Sequence, residues 1–314
     1  MKRDILVSEV GPRDGLQSIK TIMPLAAKKA WISALAASGL REIEVGSFVP
    51  ALVLPQLADT AEVVAHALTI PDLTVAVLVP NLRGAEAAVR SGAHKLTIPF
   101  SASETHSQKN VRRTHAQMFD EVRGIVALLA SLPAAKRPRL EGGLSTAFGC
   151  TYEGVVPADK VVKLAEQLCE VGCDEIGLAD SVGFANPAQV RDLVLRVRAV
   201  TGNDKFAGLH LHNTRGLGLA NVVAGLEVDV DTFDSSMAGI GGCPFAPGAT
   251  GNIVTEDLVF MLEAMGLHTG VDIGRLLAAR EVLAAAVPDE ELYGYVPAAG
   301  LPLAHVAGKP EVSA

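Results

Sequence analysis

Eight short runs of β-branched and apolar residues recur along this chain, with Ala- and Leu-rich amphipathic stretches between them. The runs are Ile5–Val10, Glu42–Gly46, Thr74–Val79, Lys95–Phe100, Arg139–Thr146, Glu175–Ala179, Gly208–His212 and Thr232–Ser236. The amphipathic stretches include Leu25–Ser38, Asn81–Ser91, Thr105–Leu132, Pro157–Val171, Pro187–Val200, Leu217–Gly225 and Thr255–Met265. This alternation predicts strands joined through helices. A helix between two strands carries the chain back to its starting edge, so the strands run parallel. Pro24, Pro157 and Pro187 stand at helix starts, where a missing N–H costs nothing. Gly39, Gly92, Gly172 and Gly266 stand at helix ends.

Eight such units are the number that closes a sheet into a (β/α)8 TIM barrel, an α/β fold of about 250 residues. The chain has 314 residues. It therefore divides into a barrel over 1–270 and a short C-terminal helical extension over 271–314, with one helix near Ile273–Ala286. An open doubly wound sheet is the alternative, but no Gly-x-Gly-x-x-Gly follows the first strand. The balance of 27 Lys+Arg against 35 Asp+Glu gives a net charge of −8, which argues against a nucleic-acid binder with its basic face. No apolar run approaches the roughly 18 residues of a membrane span. The first apolar run stops at Gly11-Pro12, too short for a secretory leader. Four cysteines make no disulfide framework, and the expected setting is the reducing cytoplasm.

In such a barrel the reacting groups stand at the C-terminal ends of the strands and in the loops after them. The first strand is followed by Gly11-Pro12-Arg13-Asp14-Gly15-Leu16-Gln17, an Arg–Asp pair that is either a surface ion pair or part of a site. Alternation puts Glu42 and Glu44 on one face of the second strand. Glu44 lies between Ile43 and Val45, where a carboxylate is costly unless paired, and Arg13 is a candidate partner. The seventh strand ends in His210-Leu211-His212, which offers two imidazoles on one face to a divalent cation. Asp14 can add a carboxylate oxygen and Asn252 a neutral one, a mixed set that suits Mg2+, Mn2+, Co2+ or Zn2+. Cys169 and Cys173, four apart on a helix, read as packing residues. After the eighth strand, Ala238 to Asn252 holds five glycines, two prolines and Cys243. Cys243 is a candidate acid, base or nucleophile, the other reading being a phosphate-cradling loop with an incidental cysteine.

These motifs resemble the 3-hydroxy-3-methylglutaryl-CoA lyase family, within the metal-dependent barrel lyases and Claisen-type synthases. The resemblance runs from Val7 to about Gly270. It is carried by Glu9 to Gln17, Gly149-Cys150-Thr151-Tyr152-Glu153-Gly154, His210 to Thr214, and above all Gly239-Ile240-Gly241-Gly242-Cys243-Pro244-Phe245 running on to Gly251-Asn252. It implies that Asp14, His210, His212 and Asn252 ligate the metal, usually Mg2+ or Mn2+. It implies that Arg13 neutralises the enolate oxygen at the thioester carbonyl, that Glu44 and Asp180 are active-site acids, and that Cys243 transfers a proton. Gln17, Lys20, Ser47 and Arg215 are then expected on the substrate side, Lys20 and Ser47 near the CoA moiety. The implied partner is an acyl-CoA, and the implied assembly a homodimer.

The implied reaction is retro-Claisen cleavage of 3-hydroxy-3-methylglutaryl-CoA to acetyl-CoA and acetoacetate, with the base open among His210, Asp14 and Glu44. A related 3-hydroxy-3-alkylglutaryl-CoA or citramalyl-type thioester is the alternative substrate, and a condensing acyltransferase the more distant reading. Departures from the family pattern bear on the acyl group. Asn213 and Arg215 replace Asp and Tyr, Thr151 replaces Pro, Gly177 replaces a serine, and His106 replaces an apolar or aromatic residue. Arg215 is expected either to hold an extra carboxylate bidentately or to pair with an acidic neighbour.

Overall fold

The computed structural model describes residues 4–241 and 251–302. Its strands are β1 (Leu6–Glu9), β2 (Glu42–Ser47), β3 (Thr74–Leu78), β4 (Lys95–Ser101), β5 (Arg139–Ser145), β6 (Glu175–Asp180), β7 (Phe206–Leu211) and β8 (Thr232–Ser235). All pair in parallel in sequence order. The barrel closes where β1 meets β8, from Leu6 opposite Thr232 to Glu9 opposite Ser235. The closed α/β barrel predicted by the alternation is the fold.

Three local expectations are corrected. The stretch Thr105–Leu132 is two helices, Glu104–Asn110 and His115–Ala130. Arg112 takes a left-handed φ of 56° between them, and Thr114 and Gln117 form a reciprocal capping box at the second start. The capping signature Thr-x-x-Gln starts a new helix there and outweighs the continuous apolar periodicity across it. The seventh strand ends at Leu211, so His212 lies just beyond it, in an isolated bridge with Asn252. The C-terminal extension carries a second short helix, Tyr295–Ala299, besides Ile273–Ala286. The longer of these packs on the helix Leu25–Ala37.

Side-chain direction in β4 to β6 shows which residues line the barrel axis. In β5, Leu140, Gly142 and Leu144 are buried on the helix side. A Cβ added at Gly142 would touch Leu168 and Cys173. Glu141, Gly143 and Ser145 therefore face the axis. In β4, Phe100 stacks outward on Phe119 and His115, leaving Lys95, Thr97, Pro99 and Ser101 inside. The lower end is filled by charge. Lys95 Nζ lies 2.8 Å from Glu141 Oε2, 3.2 Å from Glu175 Oε1 and 3.4 Å from Glu42 Oε1. Gly177 makes room for this cluster, because a Cβ there would sit 2.3 Å from Glu141 Oε1. Above it the inward positions Gly143, Gly177 and Ala179 are small, which leaves room toward the C-terminal ends of the strands.

Candidate metal and catalytic site

The turn after β1 is a single π-helical turn, Gly11–Gly15, an uncommon element often found at functional sites. Three successive N–H groups, of Arg13, Asp14 and Gly15, point at the Val10 carbonyl. Buried Glu9 ties the turn to the end of β8. Its Oε1 accepts from Gly11 N (2.8 Å) and Met237 N (2.9 Å), and its Oε2 from Thr255 Oγ1 (2.7 Å). Burial pushes the Glu9 pKa up to about 8 against those bonds. Gly11 is required sterically, since a Cβ there would sit 2.6 Å from Glu9 Oε1.

This turn buries Arg13 and Asp14 and aims them at the barrel mouth. Arg13 Nε bonds Glu44 Oε2 and Arg13 Nη1 bonds Asp14 Oδ1, each at 2.5 Å. The surface-pair reading of Arg13-Asp14 is thereby excluded. Gln17 Nε2 donates to Asp14 Oδ1 (2.8 Å) and Asn252 Nδ2 to Asp14 Oδ2 (2.7 Å). His210 Nε2 lies 3.1 Å from His212 Nε2 and 3.9 Å from Asp14 Oδ2. Asp14, His210 and His212 thus present three donor atoms within 4.8 Å of one another, a group that can hold a metal ion.

Electrostatics favour a cation there. Burial works to raise the Asp14 pKa, but the charges of Arg13 and His210 outweigh it and hold the carboxyl below its ordinary value. Burial and the charge of His210 push His212 down to about 3, so it is a neutral donor. Burial also disfavours a charged His210, yet its hydrogen bond to Asp234 and the charge of Asp14 win and raise its pKa. Burial lifts Glu44 above its ordinary value against the pull of Arg13. Among the described residues, buried His212 Nδ1, Asn252 Oδ1 and Glu44 Oε1 have no hydrogen-bond partner. Such orphaned atoms are costly unless a ligand meets them. Gly241 keeps the place open, since a Cβ there would sit 2.3 Å from Asn252 Nδ2 and 3.0 Å from Asp14 Oδ2.

Other expected residues stand apart from this cluster. Asp180 ends β6 and accepts from Phe184 N (2.8 Å) and Ala185 N (3.0 Å). Ser47 is buried at the end of β2, its Oγ accepting from Val49 N at 3.3 Å. Lys20 is exposed, and its backbone N–H donates to Glu290. Arg215 makes its hydrogen bonds to the backbone and adds its charge near Asp180. Its Nη1 donates to the carbonyls of Val182 and Gly183 (3.0 Å each), and its guanidinium stacks 4.4 Å over the Phe184 ring. Cys243 lies outside the described residues.

Asp234 was not singled out by the sequence. It is inward on β8, opposite His210 in register, and its Oδ2 lies 3.1 Å from His210 Nδ1. That contact fixes which ring nitrogen of His210 faces the cluster.

Comparison with known proteins gives one answer. The HMGL-like family profile matches residues 4–283. The mitochondrial hydroxymethylglutaryl-CoA lyase of Arabidopsis thaliana is 41% identical over 89% of this chain, which spans 58% of that longer protein. The 3-hydroxy-3-isohexenylglutaryl-CoA/hydroxymethylglutaryl-CoA lyase of Pseudomonas aeruginosa is 39% identical over 91% of this chain and 93% of its own length. A structure of an HMG-CoA lyase from Acinetobacter baumannii, in complex with coenzyme A and 3-methylmalate, superposes with a TM-score of 0.89. It is 39% identical and covers 98% of each chain.

Proposed function

The chain belongs to the HMGL-like family, and from that membership we propose that it is a carbon–carbon lyase cleaving 3-hydroxy-3-methylglutaryl-CoA to acetyl-CoA and acetoacetate. One observation carries the reading: Asp14, His210 and His212 converge on a point beside a buried, doubly paired Arg13. Asp14, His210, His212 and Asn252 are the proposed ligands, and Mg2+ or Mn2+ the proposed cation. The donor set fits. Two nitrogens 3.1 Å apart match neighbouring ligands of an octahedral ion with bonds of about 2.1 Å. Once bound, the cation supplies Lewis acidity to the substrate's 3-hydroxyl.

In the proposed reaction the 3-hydroxyl loses its proton and C3 becomes a carbonyl. The C2–C3 bond breaks, and its electron pair moves onto C2 as the thioester enolate. Arg13 is the cation for that enolate oxygen, and Glu44 and Asp14 preset its orientation, so little reorganisation is needed as charge develops. Among the three candidate bases, Asp14 and His210 belong to the ligand set. Among the described residues Glu44 keeps Oε1 without a partner, and burial raises its pKa, which makes it a stronger base than an ordinary carboxylate. Cys243 is the proposed donor of the proton that C2 then needs, on the strength of its motif. Gln17 orients Asp14, and Asp180, Lys20, Ser47 and Arg215 remain proposed active-site and substrate contacts. A homodimer in the cytoplasm completes the proposal. No helix among the described residues is long and apolar enough to cross a membrane.

Exhaustive chelation is expected to lower turnover at least about a thousandfold, with recovery on adding Mg2+ or Mn2+. Full activity in chelated protein would contradict the mechanism. Asp234→Ala is expected to weaken Mn2+ binding, measured calorimetrically, by about 10- to 100-fold. Asp234→Asn keeps an acceptor for His210 and is expected to recover part of the loss. Unchanged affinity in the alanine variant would remove Asp234 from the support of the site.

A further inference from the structure

Ser145, Ser101 and His106 form a hydrogen-bonded row on the barrel wall facing the cation cluster. Ser145 Oγ lies 3.0 Å from Ser101 Oγ, and Ser101 Oγ lies 2.6 Å from His106 Nδ1. The two serines end β5 and β4, and both point inward, because Leu144 and Phe100 beside them are fully buried on the helix side. In a closed ring of eight strands, β4 and β5 stand across from β8 and β1. Asp14 follows β1, and His210 sits on β7 next to β8. A thioester whose C3 hydroxyl reaches that cluster therefore presents another part of its acyl unit to the row.

The row also has hydrogen-bonding capacity to spare. His106 is buried in the first turn of its helix, with its ring 6.3 Å from that of Tyr152. Burial lowers its pKa against the charge of Glu153, so the ring is neutral at neutral pH. A neutral imidazole carries one N–H. When Nδ1 accepts, Ser101 donates to it and Ser145 donates to Ser101, leaving lone pairs of Ser145 Oγ at the mouth. When Nδ1 donates, the row reverses and Ser145 offers its O–H there instead. The flanking helices do not need the row for capping, since Ser103 and Thr114 do that.

We propose that this row is the specificity-determining wall for the acyl unit, and that it selects a C3 substituent ending in a hydrogen-bonding group over an apolar one of the same size. The inference rests on the lyase reading for how the thioester is anchored. An apolar group laid on the row strips water from two hydroxyls and returns nothing, which is the costly half of hydrogen bonding. A site built to bond a hydroxyl rejects its absence far more strongly than an apolar pocket rejects one methylene.

The test uses two thioesters of equal size, 3-hydroxy-3-(2-hydroxyethyl)glutaryl-CoA and 3-hydroxy-3-propylglutaryl-CoA, and their unreactive 3-deoxy forms for calorimetry. The native chain is expected to favour the hydroxyethyl compound at least about tenfold, both in kcat/KM and in binding. Ser101→Ala and His106→Phe are each expected to bring that ratio close to one while Mn2+ affinity stays unchanged. Thermal unfolding of each variant checks that it is folded, and Ser101→Ala removes the fewest atoms. A native chain that prefers the propyl compound, or a ratio that survives both substitutions within about twofold, overturns the inference. Retained binding preference without cleavage of any thioester overturns the lyase reading and leaves the row's selectivity standing.

Discussion

Arg13→Gln is expected to reduce turnover about a thousandfold, the scale on which an enzyme loses a preset donor to a developing oxyanion. It is also expected to lower stability by about 3–5 kcal/mol, because Glu44 and Asp14 are left buried without their common partner. Both effects follow from one geometry. The guanidinium bonds Glu44 through Nε and Asp14 through Nη1, so its orientation is fixed before any substrate arrives. Arg13→Lys restores the charge but not the fork. A single ammonium cannot hold two carboxylates in that arrangement and still face a third oxygen. Lysine is therefore expected to recover part of the stability and little of the turnover. Denaturant unfolding and kcat/KM for both variants separate the two effects. A folded glutamine variant with near-native turnover would remove Arg13 from the enolate step.

The second large effect lies at the other end of the barrel. Lys95→Met is expected to cost about 3–5 kcal/mol at pH 8 and distinctly less at pH 5. Lys95 is the cation for Glu42 and Glu175, buried with it, and for half-buried Glu141. Burial lifts Glu141 to about 7 even with Lys95 beside it. In the native chain the folded state therefore binds the Glu141 proton more tightly than the unfolded state. The stability this group contributes is fully present below its ordinary pKa near 4.5 and is lost as pH rises through about 7. Without Lys95 the Glu141 carboxyl resists ionisation further, so the cost falls mainly above pH 7 and is relieved where it can stay protonated. Urea midpoints at the two pH values measure this. Equal losses at both would mean that the lysine stem matters for packing and its charge does not.

The fold was legible because its signal is repetitive. Eight alternations survive errors of one or two residues at each strand, and a mis-split helix such as 105–132 leaves the strand count intact. The site was legible where one motif holds several donors, as in Arg13-Asp14 and His210-x-His212. Asp234 escaped for a physical reason. An acid between Phe233 and Ser235 gains meaning only from its register against His210, which is a property of the closed barrel and not of either strand. Glu9 escaped likewise, since its three donors come from the turn after β1, the end of β8 and the helix Thr255–Ala264. Arg215 could be read either as a carboxylate clamp or as an ion pair, and the hydrogen bonds it makes are of another kind. Its partners are backbone carbonyls of the β6 loop, which no residue pattern records.

Product analysis tests the central claim most directly. The native chain with Mn2+ is incubated with 3-hydroxy-3-methylglutaryl-CoA, and the products are separated and weighed by mass spectrometry. Retro-Claisen cleavage predicts acetyl-CoA and acetoacetate in equal amounts, with solvent deuterium entering the acetyl methyl. Free CoA with intact 3-hydroxy-3-methylglutarate would show thioester hydrolysis instead and contradict the account.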